Sequence, residues 1–146
     1  MDLQELEKTS PFALGKENTG YAQYFDGKSY LNILTLQQVV TAVVTFEPGC
    51  RNHWHIHHAA NGGGQILIVT AGRGYYQEWG KLAQELKAGD VVNIPPEVKH
   101  LEDFQYFSFS PTRRSASVAL FSHSSGVSPW FFGPKHTSVS TSTSKS

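Results

Sequence analysis

The sequence predicts an all-β domain, a sandwich or barrel built from many short strands. Three features point there: β-favouring runs of strand length, turn signals at short intervals between them, and no long stretch of helical periodicity. In chain order, Asp2 to Lys8 is short and polar without an apolar stripe, so residues 1–16 read as an arm of coil or one or two helical turns. Gln37 to Glu47 is rich in Val and Thr, Gln65 to Ala71 alternates around Leu67 and Val69, and Gly74 to Gln77 carries paired tyrosines. Each of these is a strand candidate. Pro48-Gly49, Gly62-Gly63-Gly64, Gly72-Arg73-Gly74, Trp79-Gly80-Lys81, Ala88-Gly89-Asp90 and Pro95-Pro96 supply the positive or fixed φ values that reverse a chain. Phe104 to Phe109 and Ser117 to Phe121 are further strand-like pieces that can close a barrel over residues 17–134. Residues 135–146 are dominated by Ser and Thr, bury too little to offset their ordering entropy, and read as a disordered tail.

At 146 residues with 39% apolar content, the chain is one ordinary domain with enough material for a core. Its formal net charge is zero, which speaks against nucleic acid, an anionic membrane or a polyanion as partner. A small molecule is the expected partner. The apolar runs, such as Val39 to Phe46, are strand-sized and far short of a membrane span. Cys50 is the single cysteine, so no internal disulfide framework exists, and with no signal-peptide pattern in Met1 to Lys16 the expected setting is cytoplasmic. Charge is unevenly spread: all twelve acids but only eight of the twelve Lys and Arg precede Phe104.

Residues with metal-binding chemistry concentrate between Gly49 and Gln65. In a strand, alternate side chains share a face, so His55 and His57 can present two imidazoles to one ion about 6 to 7 Å apart along the backbone. The alternative is a histidine cluster on a solvated face or in a loop. Downstream, Gly89-Asp-Val-Val-Asn-Ile-Pro-Pro-Glu-Val-Lys-His100 places a third histidine after a Gly and Pro frame.

Together these segments resemble the two sequence motifs of the cupin family, in the family's order. The first motif, glycine then His-x-His, Glu or Gln and glycine, is matched from Gly49 to Gly72; the second, glycine, five residues, proline and histidine, from Gly89 to His100. The match is closest to small bacterial cupins reading Trp-His-x-His then Gly-Gln, as in Trp54-His55-Ile56-His57 and Gly64-Gln65, and covers roughly residues 20 to 100. The resemblance implies a double-stranded β-helix, or jelly-roll, barrel and a homodimer. It also implies that His55, His57, Gln65 and His100 converge on one divalent metal ion. The barrel is recognisable to about residue 100 and atypical from 101, where such relatives usually continue Trp-His-Gly-Ala and this chain reads Leu101-Glu102-Asp103-Phe104.

Three neutral imidazoles and an amide leave the ion's charge uncompensated, favouring an anionic oxygen ligand on Mn, Fe, Co, Ni or Zn. The expected function is a metal-dependent lyase, decarboxylase or isomerase acting on a small carbonyl, hydroxy-acid or enol substrate. The similar cupins include hydroxynitrile lyases and proteins associated with carboxymuconolactone decarboxylation. A cupin dioxygenase and a non-catalytic ligand-binding cupin are the alternatives. Imidazoles of ordinary pKa would release the metal below about pH 6.

Glu102 has two readings. Alternation would put it on His100's face, as an added ligand or a general base, whereas failed pairing after His100 would turn Glu102 and Asp103 into solvent. His53 and His58 read as flanking histidines, His123 as incidental, Arg113-Arg114 as a solvated pair, Tyr75, Tyr76 and Trp79 as core and hairpin residues, and Cys50 as structural.

Overall fold

The computed structural model describes residues 3–37, 39–59, 62–103 and the backbone of 116–122. Phe104 to Phe109, Arg113-Arg114, His123 and the tail from 135 lie outside the described residues. Helix α1, Leu3–Thr9, buries Leu6 and nothing else, and a 3₁₀ turn covers Thr19–Tyr24. Neither the turn nor a strand over Ser29 to Thr35 stands out in the sequence, because neither stretch alternates cleanly between apolar and polar residues.

The strands are β1 Lys16–Glu17, β2 Phe25–Asp26, β3 Ser29–Thr35, β4 Val40–Phe46, β5 Arg51–Asn52, β6 Gln65–Ala71, β7 Arg73–Glu78, β8 Gln84–Lys87, β9 Val91–Ile94, β10 His100–Asp103 and β11 Ala116–Ser122. One sheet runs β1-β3-β4-β11-β6-β9 and the other β2-β5-β10-β7-β8, with every pairing antiparallel. This is the jelly-roll arrangement. β11 contains the expected Ser117 to Phe121 piece and lies between β4 and β6, so the larger sheet is continued by chain beyond the recognisable motifs.

Both sheets feed one core of Phe25, Val44, Phe46, Cys50, Leu67, Val69, Tyr76, Leu86 and Ile94. Burial pushes the Cys50 thiol up to about 12, as an inert packing residue requires. Trp79 lies in the β7–β8 hairpin turn, as its Trp79-Gly80-Lys81 turn signal predicts, 60% exposed, with the Trp54 ring edge-on at 4.9 Å and Lys99 Nζ 3.7 Å from its ring centre. No helix among the described residues is long and apolar enough to cross a membrane.

Period-two alternation in β6 turns Gln65, Leu67, Val69 and Ala71 inward and leaves Ile66 outward. Gly64 starts that strand correctly. It has φ +89°, and a Cβ there would lie 2.3 Å from Ile94 O and 3.0 Å from Pro96 N. Gly64→Ala therefore combines left-handed strain of about 1–3 kcal/mol with a backbone clash. Its expected outcome is a clear fall in urea midpoint and loss of Gln65 from the interior, read by denaturation and by metal content.

Candidate metal centre

The sites flanking the two motifs are joined by a backbone bridge. His55 N donates to His100 O at 2.9 Å and His100 N to His55 O at 3.0 Å, an isolated antiparallel pair. Glu97 N donates to His57 O at 3.0 Å, and Arg51 pairs with Asp103, so residues 51–57 run antiparallel beside 97–103. The expectation that His55 and His57 share a regular strand is corrected here. Only Arg51–Asn52 is strand, and the histidines follow in an extended segment held by single bonds.

The result is compact. Ligand atoms of His55, His57 and His100 all lie within 4.8 Å of one another. Ring centroids are 4.2 Å apart for His55 and His100, 5.0 Å for His55 and His57, and 5.4 Å for His57 and His100. His53 points elsewhere, its Nε2 3.1 Å from Asp26 Oδ1, and His58 Nδ1 meets Glu97 Oε2 at 2.7 Å on the surface, so both are flanking residues. Glu97 also accepts from Ala59 N, and it holds the left-handed φ of 66°. One end of the glycine-rich segment is thereby tied to the loop before β10.

Hydrogen bonds choose the tautomers. His55 Nδ1 is 2.9 Å from His53 O and His100 Nδ1 is 2.8 Å from Val98 O; carbonyls only accept, so each Nδ1 carries the proton. In the neutral ring, Nε2 is then a lone pair facing inward. Gln65, 4% exposed, brings Oε1 to 3.3 Å from His100 Nε2. His57 Nε2 is shut off from solvent without a hydrogen-bond partner. These ring nitrogens and the Gln65 amide oxygen converge on a site that could hold a metal ion. The donor set of imidazoles and an amide oxygen fits a divalent transition metal.

Glu102 is in the same interior. It is 2% exposed and His100 0%, while Leu101 and Asp103 between and after them are partly exposed, so alternation persists through β10. The reading in which Glu102 turns into solvent is overturned. Strand pairing with Tyr76 on β7, in register Glu102↔Tyr76, keeps the chain regular past His100. Glu102 Oε1 is 3.5 Å from His100 Nε2, and Oε2 is 4.0 Å from His55 Nε2. Asn52, which the sequence alone did not single out, is its buried partner: Glu102 N donates to Asn52 Oδ1 at 2.7 Å, and Asn52 Nδ2 donates to Glu102 Oε2. Its only sequence signal is a position three residues before His55, which no local pattern links to residue 102.

Comparison with known proteins now bears on this geometry. A family model described as the cupin domain matches residues 42–102, from β4 to Glu102. An (R)-mandelonitrile lyase from Granulicella tundricola is 40% identical over 120 residues, 80% of this chain and 82% of that one. The chain belongs to the cupin family. Among solved structures, this cupin is similar to a cupin-like protein from Thermotoga maritima at 38% identity and TM-score 0.61, over 77% of this chain and 79% of that one. A cupin 2 conserved barrel domain protein from Rhodopseudomonas palustris, at 13% identity, TM-score 0.59 and coverage of 75% and 70%, shares the fold.

Electrostatics alter one expectation for the site. Burial lowers His55 to about 3 and His57 to about 4, with a neighbouring imidazole adding to each shift. Between these values and the unfolded pKa of about 6.5, the unfolded chain binds more protons than the folded one, so acid favours unfolding. Metal-free protein should lose stability steadily as pH falls from 6.5 toward 4, by up to about 1.4 kcal/mol per pH unit for each group. Urea midpoints across that range check this. His55 and His57 also stay deprotonated below pH 6, so proton competition with a metal at these two groups is expected to begin well under the pH that ordinary histidines set.

Proposed function

We propose that this cupin is a metal-dependent lyase acting on a small hydroxy or carbonyl compound, with the metal held by His55, His57, His100 and Gln65. The observation that carries the reading is the convergence of three imidazoles within 4.8 Å in a buried barrel interior. Similarity to the (R)-mandelonitrile lyase over most of both chains supports the reaction class. The substrate class this suggests is a cyanohydrin, cleaved at the bond between the hydroxyl-bearing carbon and the nitrile carbon. The hydroxyl proton passes to an acceptor, the carbon becomes a carbonyl, and cyanide leaves with the bonding pair and is protonated.

When bound, a divalent ion would polarise the substrate oxygen and stabilise the charge that develops on it. The chain's own residues do the rest. His53 O and Val98 O fix two imidazoles by accepting from Nδ1. Gln65 presents a neutral amide oxygen from the first position of β6. Burial of His55, His100 and Gln65 excludes water from one side of the site, while His57, half-buried beside the exposed His58, marks the open side.

A homodimer is part of the same proposal, supported by Ile33, Leu34 and Leu36, exposed at the end of β3 and just beyond it. A cytoplasmic setting is proposed on the single cysteine, buried as a thiol.

Purified protein is expected to carry a divalent transition metal. His55→Ala and His100→Ala should lose most of it and His53→Ala should keep it, measured by elemental analysis. Near-stoichiometric metal in His55→Ala would sink the centre. Metal-loaded protein given mandelonitrile should release aldehyde and cyanide without consuming oxygen. Oxygen uptake on an enolisable substrate would point instead to a dioxygenase, and binding without turnover of any substrate to a ligand-binding protein.

A further inference from the structure

We infer that Glu102 joins the metal's donor set through Oε1, clamped there by Asn52, and that the site in consequence takes uncharged hydroxyl or carbonyl substrates rather than anions. This rests on the metal centre proposed above.

Three observations lead to it. The Asn52 amide holds Glu102 twice: Oδ1 accepts from the Glu102 backbone at 2.7 Å, and Nδ2 donates to Oε2. That leaves Oε1, which is cut off from solvent and accepts no hydrogen bond. It lies 3.5 Å from His100 Nε2, on the side where the imidazole lone pairs meet. A carboxylate oxygen buried in this way is costly unless a cation faces it. The salt-bridge partners of Glu102 among the described residues are His55 and His100, and neither is Lys or Arg. A metal ion shared with the imidazoles supplies the cation.

Position separates the ligand role from a base role. Glu102 stands with His100, Gln65 and His55 among the buried residues of the site, all 6% exposed or less, whereas His57 is half-buried and His58 exposed. A substrate would approach from the side of the half-buried His57 and the exposed His58. The charge consequence is direct. With one carboxylate bound, a divalent ion retains a single net charge instead of two, and an incoming ligand need not bring negative charge to be held.

The test is calorimetric titration of the demetallated full-length chain with Mn²⁺ and, separately, Zn²⁺, with folding checked by circular dichroism. Glu102→Gln can still accept the Asn52 amide hydrogen; it is expected to lose about tenfold or more in metal affinity. Asn52→Ser, which removes the clamp but leaves the carboxylate, should lose about tenfold. The double variant should lose no more than Glu102→Gln alone, because Asn52 acts through Glu102. Metal-loaded Glu102→Gln should also bind acetate several-fold more tightly than wild type. Affinities of both single variants within about twofold of wild type, with wild type binding one ion, overturn the inference and leave the metal centre standing. Absence of uptake by wild type overturns the centre itself. If Glu102→Gln does not fold, Asn52→Ser decides alone: unchanged affinity overturns the inference, and weakened metal with tightened acetate sustains it.

Discussion

The two-way backbone bond between His55 and His100 is the constraint on which the site depends. It joins residues forty-five apart in sequence, and both of its ends are candidate ligands. Antiparallel exchange of N–H and C=O sets the two backbones directly opposite each other. Side-chain hydrogen bonds from each Nδ1 to the carbonyl two residues earlier then set the ring orientation. The neighbouring contacts, Glu97 N to His57 O on one side and the Asn52–Glu102 pair on the other, continue the same registration. A slip of one residue in this short ladder would turn His100 and Glu102 outward and bring Leu101 and Asp103 in.

Burial gives this arrangement its chemistry. The interior that orders the imidazoles also strips their solvation, which is why His55 and His57 fall far below the ordinary histidine range and stay available as donors. The same desolvation makes a buried carboxylate expensive. Asn52 offsets part of that cost for one oxygen of Glu102, and the other oxygen is directed at the imidazole cluster. The buried site thus adjoins an apolar core of Phe, Val, Leu, Ile, Tyr and Cys50, with the Tyr76 ring 5.9 Å from that of His100.

The two motifs were legible because they obey local rules. Gly64 must be glycine where Ile94 and Pro96 crowd it, and Gln65 falls inward because β6 alternates with Leu67 and Val69. Trp79 was legible as a hairpin residue through its turn neighbours Gly80 and Lys81, and Trp54 and Lys99 cover its ring in part. Glu102 stayed open between two readings because alternation predicts an inward side chain only if pairing continues. The β7 register that continues it lies outside residue 102's own neighbourhood in sequence.

What the sequence by itself determined is the all-β class and the two motifs whose resemblance to cupins implied a jelly roll and the candidate set His55, His57, Gln65 and His100. Turn residues, period-two alternation and motif spacing are properties of neighbouring residues. Only the tertiary structure decided that these histidines sit in an extended segment rather than a strand, that Glu102 is interior, and that Asn52 holds it. Those facts depend on which strands lie side by side, and a contact fifty residues apart leaves no trace in the local pattern of either partner.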